Sequence, residues 1–128
     1  MEKTRSIAEL LRLIERDYHK EIALAEKFSY GWVHLSHQEF LSQVKALTLY
    51  LNNRGVKKGE RVGLLAISGI RWVIADLAIM ACGAITIPLY PNISTEHFIF
   101  ECKETNVKTL FISGAQSWKI YGNHRTLF

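Results

Sequence analysis

RWVIADLAIMACGAITIPLYPN, residues 71–92, carries an apolar run from Trp72 to Tyr90 in which Asp76 is the one formal charge. Its reading decides the fold, since it is either one membrane-crossing helix or the buried middle of a folded α/β unit. A bilayer core needs about 20 predominantly apolar residues, and this run has nearly that length. Its internal punctuation argues against a span. Gly83 sits where a helix would stop, Pro88 removes a backbone donor, and Asp76 would lie near mid-bilayer at about 2.5 to 3.5 kcal/mol. The run therefore parses as a buried helix over residues 70–82, a glycine stop, and a short strand over residues 84–89. That is the second half of a strand-helix-strand unit.

The flanks complete the unit. Upstream, residues 61–67 read RVGLLAI, an apolar run bounded by turn residues and short enough for a strand buried on both faces. Ser68 follows it and is expected to cap the helix beginning near Ile70. Downstream of Pro88 and Pro91, Ser94 or Thr95 caps a further helix carrying Phe98, Ile99 and Cys102; Asn106 ends it, and residues 107–112, VKTLFI, form another strand. Strand, helix, strand, helix, strand from Arg61 onward predicts an α/β fold. It is a parallel sheet with packed helices, joined by right-handed crossovers.

Before this unit, Ile7, Leu10, Leu11 and Ile14 fall on one stripe at spacings of three and four, an amphipathic helix over residues 6–18. Residues 21–27 alternate Ile22, Leu24 and Glu26 against Ala23 and Ala25, and pair with residues 31–35 around a turn at 29–31 as a small hairpin. Ser36 and Glu39 stand in capping-box relation at the start of the next helix. Phe40, Val44, Leu47 and Leu51 are its expected buried stripe, and residues 53–55 its stop.

Composition agrees with an ordinary globular chain of 128 residues, 48% hydrophobic and 22% charged. No linker or repeat divides it, so a single domain over 1–128 is expected, with an irregular tail at 114–128 where the apolar pattern is lost. The first residues place Glu9, Arg12, Glu15 and Arg16 among apolar positions, which no secretory core tolerates, and the expected location is the cytoplasm. Cys82 and Cys102 lie in two apolar segments without C-x-x-C spacing and read as reduced core thiols. His34 and His37 divide between a strand end and a helix start rather than forming a metal pair.

The formal net charge is +4, with one basic cluster, Arg54, Lys57, Lys58 and Arg61, diluted by Glu60. A charged turn between helix and strand is the ordinary reading of such a cluster. A patch meeting phosphate or an anionic membrane surface, and so a peripheral membrane contact, is the alternative. No aromatic residue interleaves with it, which argues against a nucleic-acid partner. There is no phosphate-binding G-x-x-x-x-G-K-[ST], no G-x-G-x-x-G, no G-x-S-x-G and no H-E-x-x-H. Asp76 reads as a carboxylate on the helix edge or paired with a helix terminus, against the alternative of a buried acid or base.

Several blocks in order carry a family resemblance. They are Leu35-Ser36, Gly55-Val56-Lys57-Lys58-Gly59-Glu60-Arg61-Val62, Trp72-Val73-Ile74-Ala75-Asp76-Leu77-Ala78 and Gly83-Ala84-Ile85-Thr86-Ile87-Pro88-Leu89-Tyr90-Pro91. Together they resemble the N-terminal part of the AMP-forming acyl-CoA synthetases, or adenylate-forming enzymes, in their long-chain fatty acid branch. The resemblance covers roughly residues 35–113. It implies a two-step reaction: ATP and a fatty acid give an acyl-adenylate and pyrophosphate, then the thiol of coenzyme A displaces AMP. ATP, Mg and CoA are thus implied for the full-length family.

This chain has neither the family's Ser/Thr/Gly-rich phosphate loop nor its aromatic-Thr-Glu adenine motif, ribose-binding Asp or catalytic Lys. No catalytic or metal residue is assigned, and none of these cofactors is expected to bind this chain alone. The chain is expected to be an N-terminal fragment, inactive by itself, whose partner is the remainder of the synthetase and whose uncovered apolar surface favours self-association. By resemblance, Tyr90, Pro91 and Asn92 form a turn on the side of the nucleotide part of CoA, with Pro91 and Asn92 where acetate-activating relatives carry two glycines. The rival expectation is a stand-alone nucleotide- or CoA-binding, or regulatory, α/β module using the carboxyl edge of the sheet.

Overall fold

A computed structural model describes residues 3–114. The elements follow in the order α1 (Ile7–Asp17), β1 (Leu24–Phe28), β2 (Gly31–Leu35), α2 (His37–Asn53), β3 (Arg61–Leu65), α3 (Ile70–Ala81), β4 (Ile85–Leu89), α4 (Thr95–Glu104) and β5 (Thr109–Ile112). The deciding stretch is therefore α3, a turn and β4, as its glycine and proline predict. Gly83 has a φ of +77°, a left-handed conformation that glycine adopts without steric penalty. Among the described residues no helix is long and apolar enough to cross a membrane. The tail expected at 114–128 lies, apart from Gly114, outside the described residues.

β3 is the central strand, paired in parallel with β4 on one side and β5 on the other. The chain steps from β3 to β4 in one direction and then crosses back over β3 to reach β5. With both crossovers right-handed, α3 and α4 must lie on opposite faces of the sheet. The packing shows this. Val62 joins a core with Val44, Leu51, Ile74 and Ile79 on the α2–α3 face. Three residues on, Leu65 faces the other way and joins Leu89, Phe98 and Cys102 under α4. Strand residues alternate between faces, so a sheet covered on both sides needs continuous apolar strands, and positions 62–65 are all buried.

The capping box forms as the sequence predicts: the Glu39 amide donates to Ser36 Oγ at 3.1 Å, and the Ser36 amide donates to Glu39 Oε2 at 3.0 Å. Phe40, Val44 and Leu51 are buried, while Leu47 is only half-buried and Leu41 takes its place in the core. The stripe rotates toward Leu41 because α2 packs against α1 and α3 together, which widens its buried face.

The expected Ser68 cap does not form. Gly69 is the N-cap of α3 and no side chain bonds the free amides there. The space a side chain would fill is taken by the carboxylate of Glu26, which reaches over from β1. Ser68 stands one residue too early. The two-residue turn Ser29-Tyr30 shifts β1 to Leu24–Phe28, so Leu24 and Glu26 are half-buried and Ile22 is left exposed before the strand begins. Asn106, at φ 55°, turns the chain after α4, and Val107 is buried in that turn rather than in β5.

Candidate functional site

The three parallel strands finish level with one another, since Leu65 pairs with both Leu89 and Ile112. The residues that follow, Ile67-Ser68, Tyr90-Pro91-Asn92 and Ser113, therefore leave the sheet from one edge. In open parallel sheets this carboxyl edge is where ligands bind. The exits of β3 and β5 are tied together: the Ser113 amide donates to the Leu65 carbonyl at 3.0 Å, and the Ile67 amide donates to Ser113 Oγ at 3.3 Å.

The Tyr90-Pro91-Asn92 stretch forms a turn closed by the Ile93 amide, which donates to the Tyr90 carbonyl at 3.0 Å. Pro91 suits the second position of such a turn because its ring presets φ and its missing donor is not needed there. Ser94 then caps α4 by accepting from the His97 amide at 3.2 Å. Rigid elements thus hold both ends of the turn, while its side chains stand in solvent. Tyr90 is 79% exposed and Ile67 74%. An exposed ring beside the free carboxamide of Asn92 can stack on and hydrogen-bond a ligand, but it supplies no acid, base or nucleophile.

The other candidates do not join this edge. Asp76 is half-buried on α3, and no polar or charged residue among the described ones is fully buried. His34 lies in β2 and His37 begins α2, where His37 Nδ1 accepts from the Lys20 amide at 3.2 Å. Cys82 and Cys102 are free thiols. Burial pushes both up, Cys102 to about 11 with help from the nearby Glu101 carboxylate, so neither is an activated nucleophile. An open groove of ≈ 610 Å³ lies elsewhere, at the junction of α1 and α2, and is crossed by the Lys45–Glu15 ion pair at 2.5 Å.

Among the described residues no three His, Cys, Asp or Glu side chains converge to hold a metal ion. The sequence likewise contains no glycine-rich phosphate loop. Ile67 and Ser113 were not singled out by sequence reasoning. The signal that could have found them is that each follows a buried apolar run, the place where parallel strands deliver their loops.

The profile of the family described as AMP-binding enzyme matches residues 15–126. The long-chain-fatty-acid–CoA ligase FadD15 of Mycobacterium tuberculosis is 32% identical over 80 residues, which is 62% of this chain and 13% of that protein. The long-chain-fatty-acid–CoA ligase heimdall of Drosophila melanogaster is 30% identical over 79 residues, covering 60% of this chain and 12% of the relative. The chain thus spans about an eighth of the length of the curated relatives it matches.

Among solved structures, the fatty acyl-adenylate ligase of L. pneumophila, in complex with acyl adenylate and pyrophosphate, superposes with a TM-score of 0.81 at 19% identity. That alignment covers 93% of this chain and 21% of the ligase. The anthranilate CoA ligase AuaEII, in complex with anthranoyl-AMP, gives 0.79 at 15% identity over 98% of this chain and 23% of its own. A parallel sheet wound as in the N-terminal domains of adenylate-forming ligases, and a profile match over most of the sequence, lead to one conclusion: the chain belongs to the AMP-binding enzyme family.

Proposed function

We propose that these residues are the N-terminal part of a long-chain fatty acid–CoA ligase, an ATP-dependent enzyme that forms an acyl-adenylate and then a thioester with coenzyme A. The observation that carries this reading is the profile match over residues 15–126, joined to fatty acid–CoA ligases as its curated relatives. In this reading the described residues build the scaffold and leave the chemistry to the remainder of the synthetase, which is their principal partner. They are inactive alone, because they hold no phosphate loop, no metal cluster and no activated nucleophile. Tyr90, Pro91 and Asn92 face the nucleotide part of CoA, with the exposed Tyr90 ring as the stacking surface.

The test has two arms. The 128-residue chain, given ATP, magnesium and a long-chain fatty acid, is expected to release no pyrophosphate above background; turnover would overturn the assignment of catalysis to other residues. Residues 35–114 placed in the corresponding segment of the M. tuberculosis ligase are expected to give a chimera that still makes long-chain acyl-CoA. A folded chimera without that activity would sink the ligase reading. In the active chimera, Tyr90→Ala is expected to raise the KM for CoA by about tenfold, the loss of one stacking contact, with the KM for ATP unchanged.

A further inference from the structure

The loops that lead into β3 and β5 end side by side, because Val62 pairs with Thr109 at the start of the parallel ladder. This brings Lys58, Glu60 and Arg61 from one loop against Asn106 and Lys108 from the other. Together they surround an open concavity of ≈ 300 Å³ at the amino edge of the sheet. Three exposed cations converge there on one half-buried carboxylate, Glu60. The described ion pairs, Arg16–Asp17 and Lys45–Glu15, engage none of them. The Asn106 side chain enters no described hydrogen bond, and its left-handed backbone fixes where the carboxamide starts from. One carboxylate offsets only part of the repulsion among three gathered cations, and an anion seated between them removes more of it.

We infer that this concavity binds a phosphate group, free or as an ester, at the edge of the sheet opposite the Tyr90 turn. Arg61 presents a planar fork that matches two phosphate oxygens, Lys58 and Lys108 add point charges from either side, and Asn106 donates an N–H. Three cations against the single Glu60 carboxylate leave two net positive charges, the number that a doubly charged phosphate neutralises. No aromatic ring lines the concavity, so nothing there stacks a base, and recognition stops at the phosphoryl group. The inference is independent of the ligase reading, since none of these residues belongs to the candidate CoA turn.

Titration of the isotope-labelled chain with inorganic phosphate at constant ionic strength is expected to shift the amides of residues 58–61 and 106–108 saturably. The triple variant K58Q/R61Q/K108Q should weaken that binding by about tenfold or more. The variant K3Q/R12Q/K27Q, which removes the same charge from other exposed positions, should leave it unchanged. Should the first triple variant lose its fold, the single variants replace it, each with a partial loss.

Flotation with phosphatidylcholine vesicles, with and without phosphatidic acid, separates the sources. Capture that needs both phosphatidic acid and the three cations identifies a lipid headgroup, and saturable phosphate binding without capture identifies a soluble ester. Equal weakening by the two triple variants, or no saturable response in either arm, overturns the site.

Discussion

A Cβ placed on Gly63, in the middle of the central strand, would lie 2.6 Å from Leu110 Cδ1 and 3.2 Å from Val107 Cγ1. Val107 is buried under α4, and the half-buried Leu110 packs against the same cluster. Gly63→Val is therefore expected to destabilise the chain by about 1–3 kcal/mol, read from the urea midpoint. Gly69 is a different case, because its obstruction is the movable end of Glu26. Gly69→Ala should cost about 1 kcal/mol, and Glu26→Ala should relieve most of it, a non-additivity that a double-mutant cycle would reveal. Additive losses would show that Glu26 does not hold the hairpin at α3.

Cys102 gives a pH dependence. Its folded thiol is raised from 9.0 to about 11, so the protonated form is favoured by folding. That contribution is present below pH 9 and is lost as pH rises toward 11, because the unfolded chain releases its proton first. The urea midpoint of the parent chain should accordingly fall more steeply between about pH 9 and about pH 11 than that of Cys102→Ala. Parallel slopes would show that the thiol does not report on folding.

At the scale of elements, α2 rests on a cap made within four residues, and Ser36→Ala should cost about 1 kcal/mol by thermal or urea denaturation. A loss near zero would mean that packing against α3 holds the helix without its cap. The same locality explains what was legible in the sequence. Ser36, Glu39, Ser94 and Gly83 act on neighbours in the chain, and their spacing announces them. The sequence puts the cap of α3 at Ser68, whereas the helix starts from Gly69, whose open side is filled by Glu26 from another element. The candidate site divides likewise. The turn at Tyr90-Pro91-Asn92 shows in its proline and in the family resemblance, whereas the bond between Ile67 and Ser113, and the exit of Tyr90 from the same edge, depend on strand register. The convergence of Lys108 with Lys58 and Arg61 also comes from register and has no local signal.

For the whole molecule, the exposed Ile67 and Tyr90 give the carboxyl edge an apolar rim next to strands that, among the described residues, are unpaired on their outer sides. The chain is expected to self-associate with rising concentration in sedimentation velocity, and Ile67→Lys with Tyr90→Lys should shift it toward monomer. A monomer at all concentrations would mean that the rim stays solvated.

The sheet also has a proline on one flank. Pro88 sits in β4, an edge strand among the described residues, and a proline is tolerated in a sheet only where its missing donor points outward. β5, TLFI, carries no such interruption. The two flanks are therefore unequal in the way that a crystal with one poisoned face is unequal. A newcomer laid beside β4 would leave a carbonyl unanswered, a limit that the backbone of β5 does not impose.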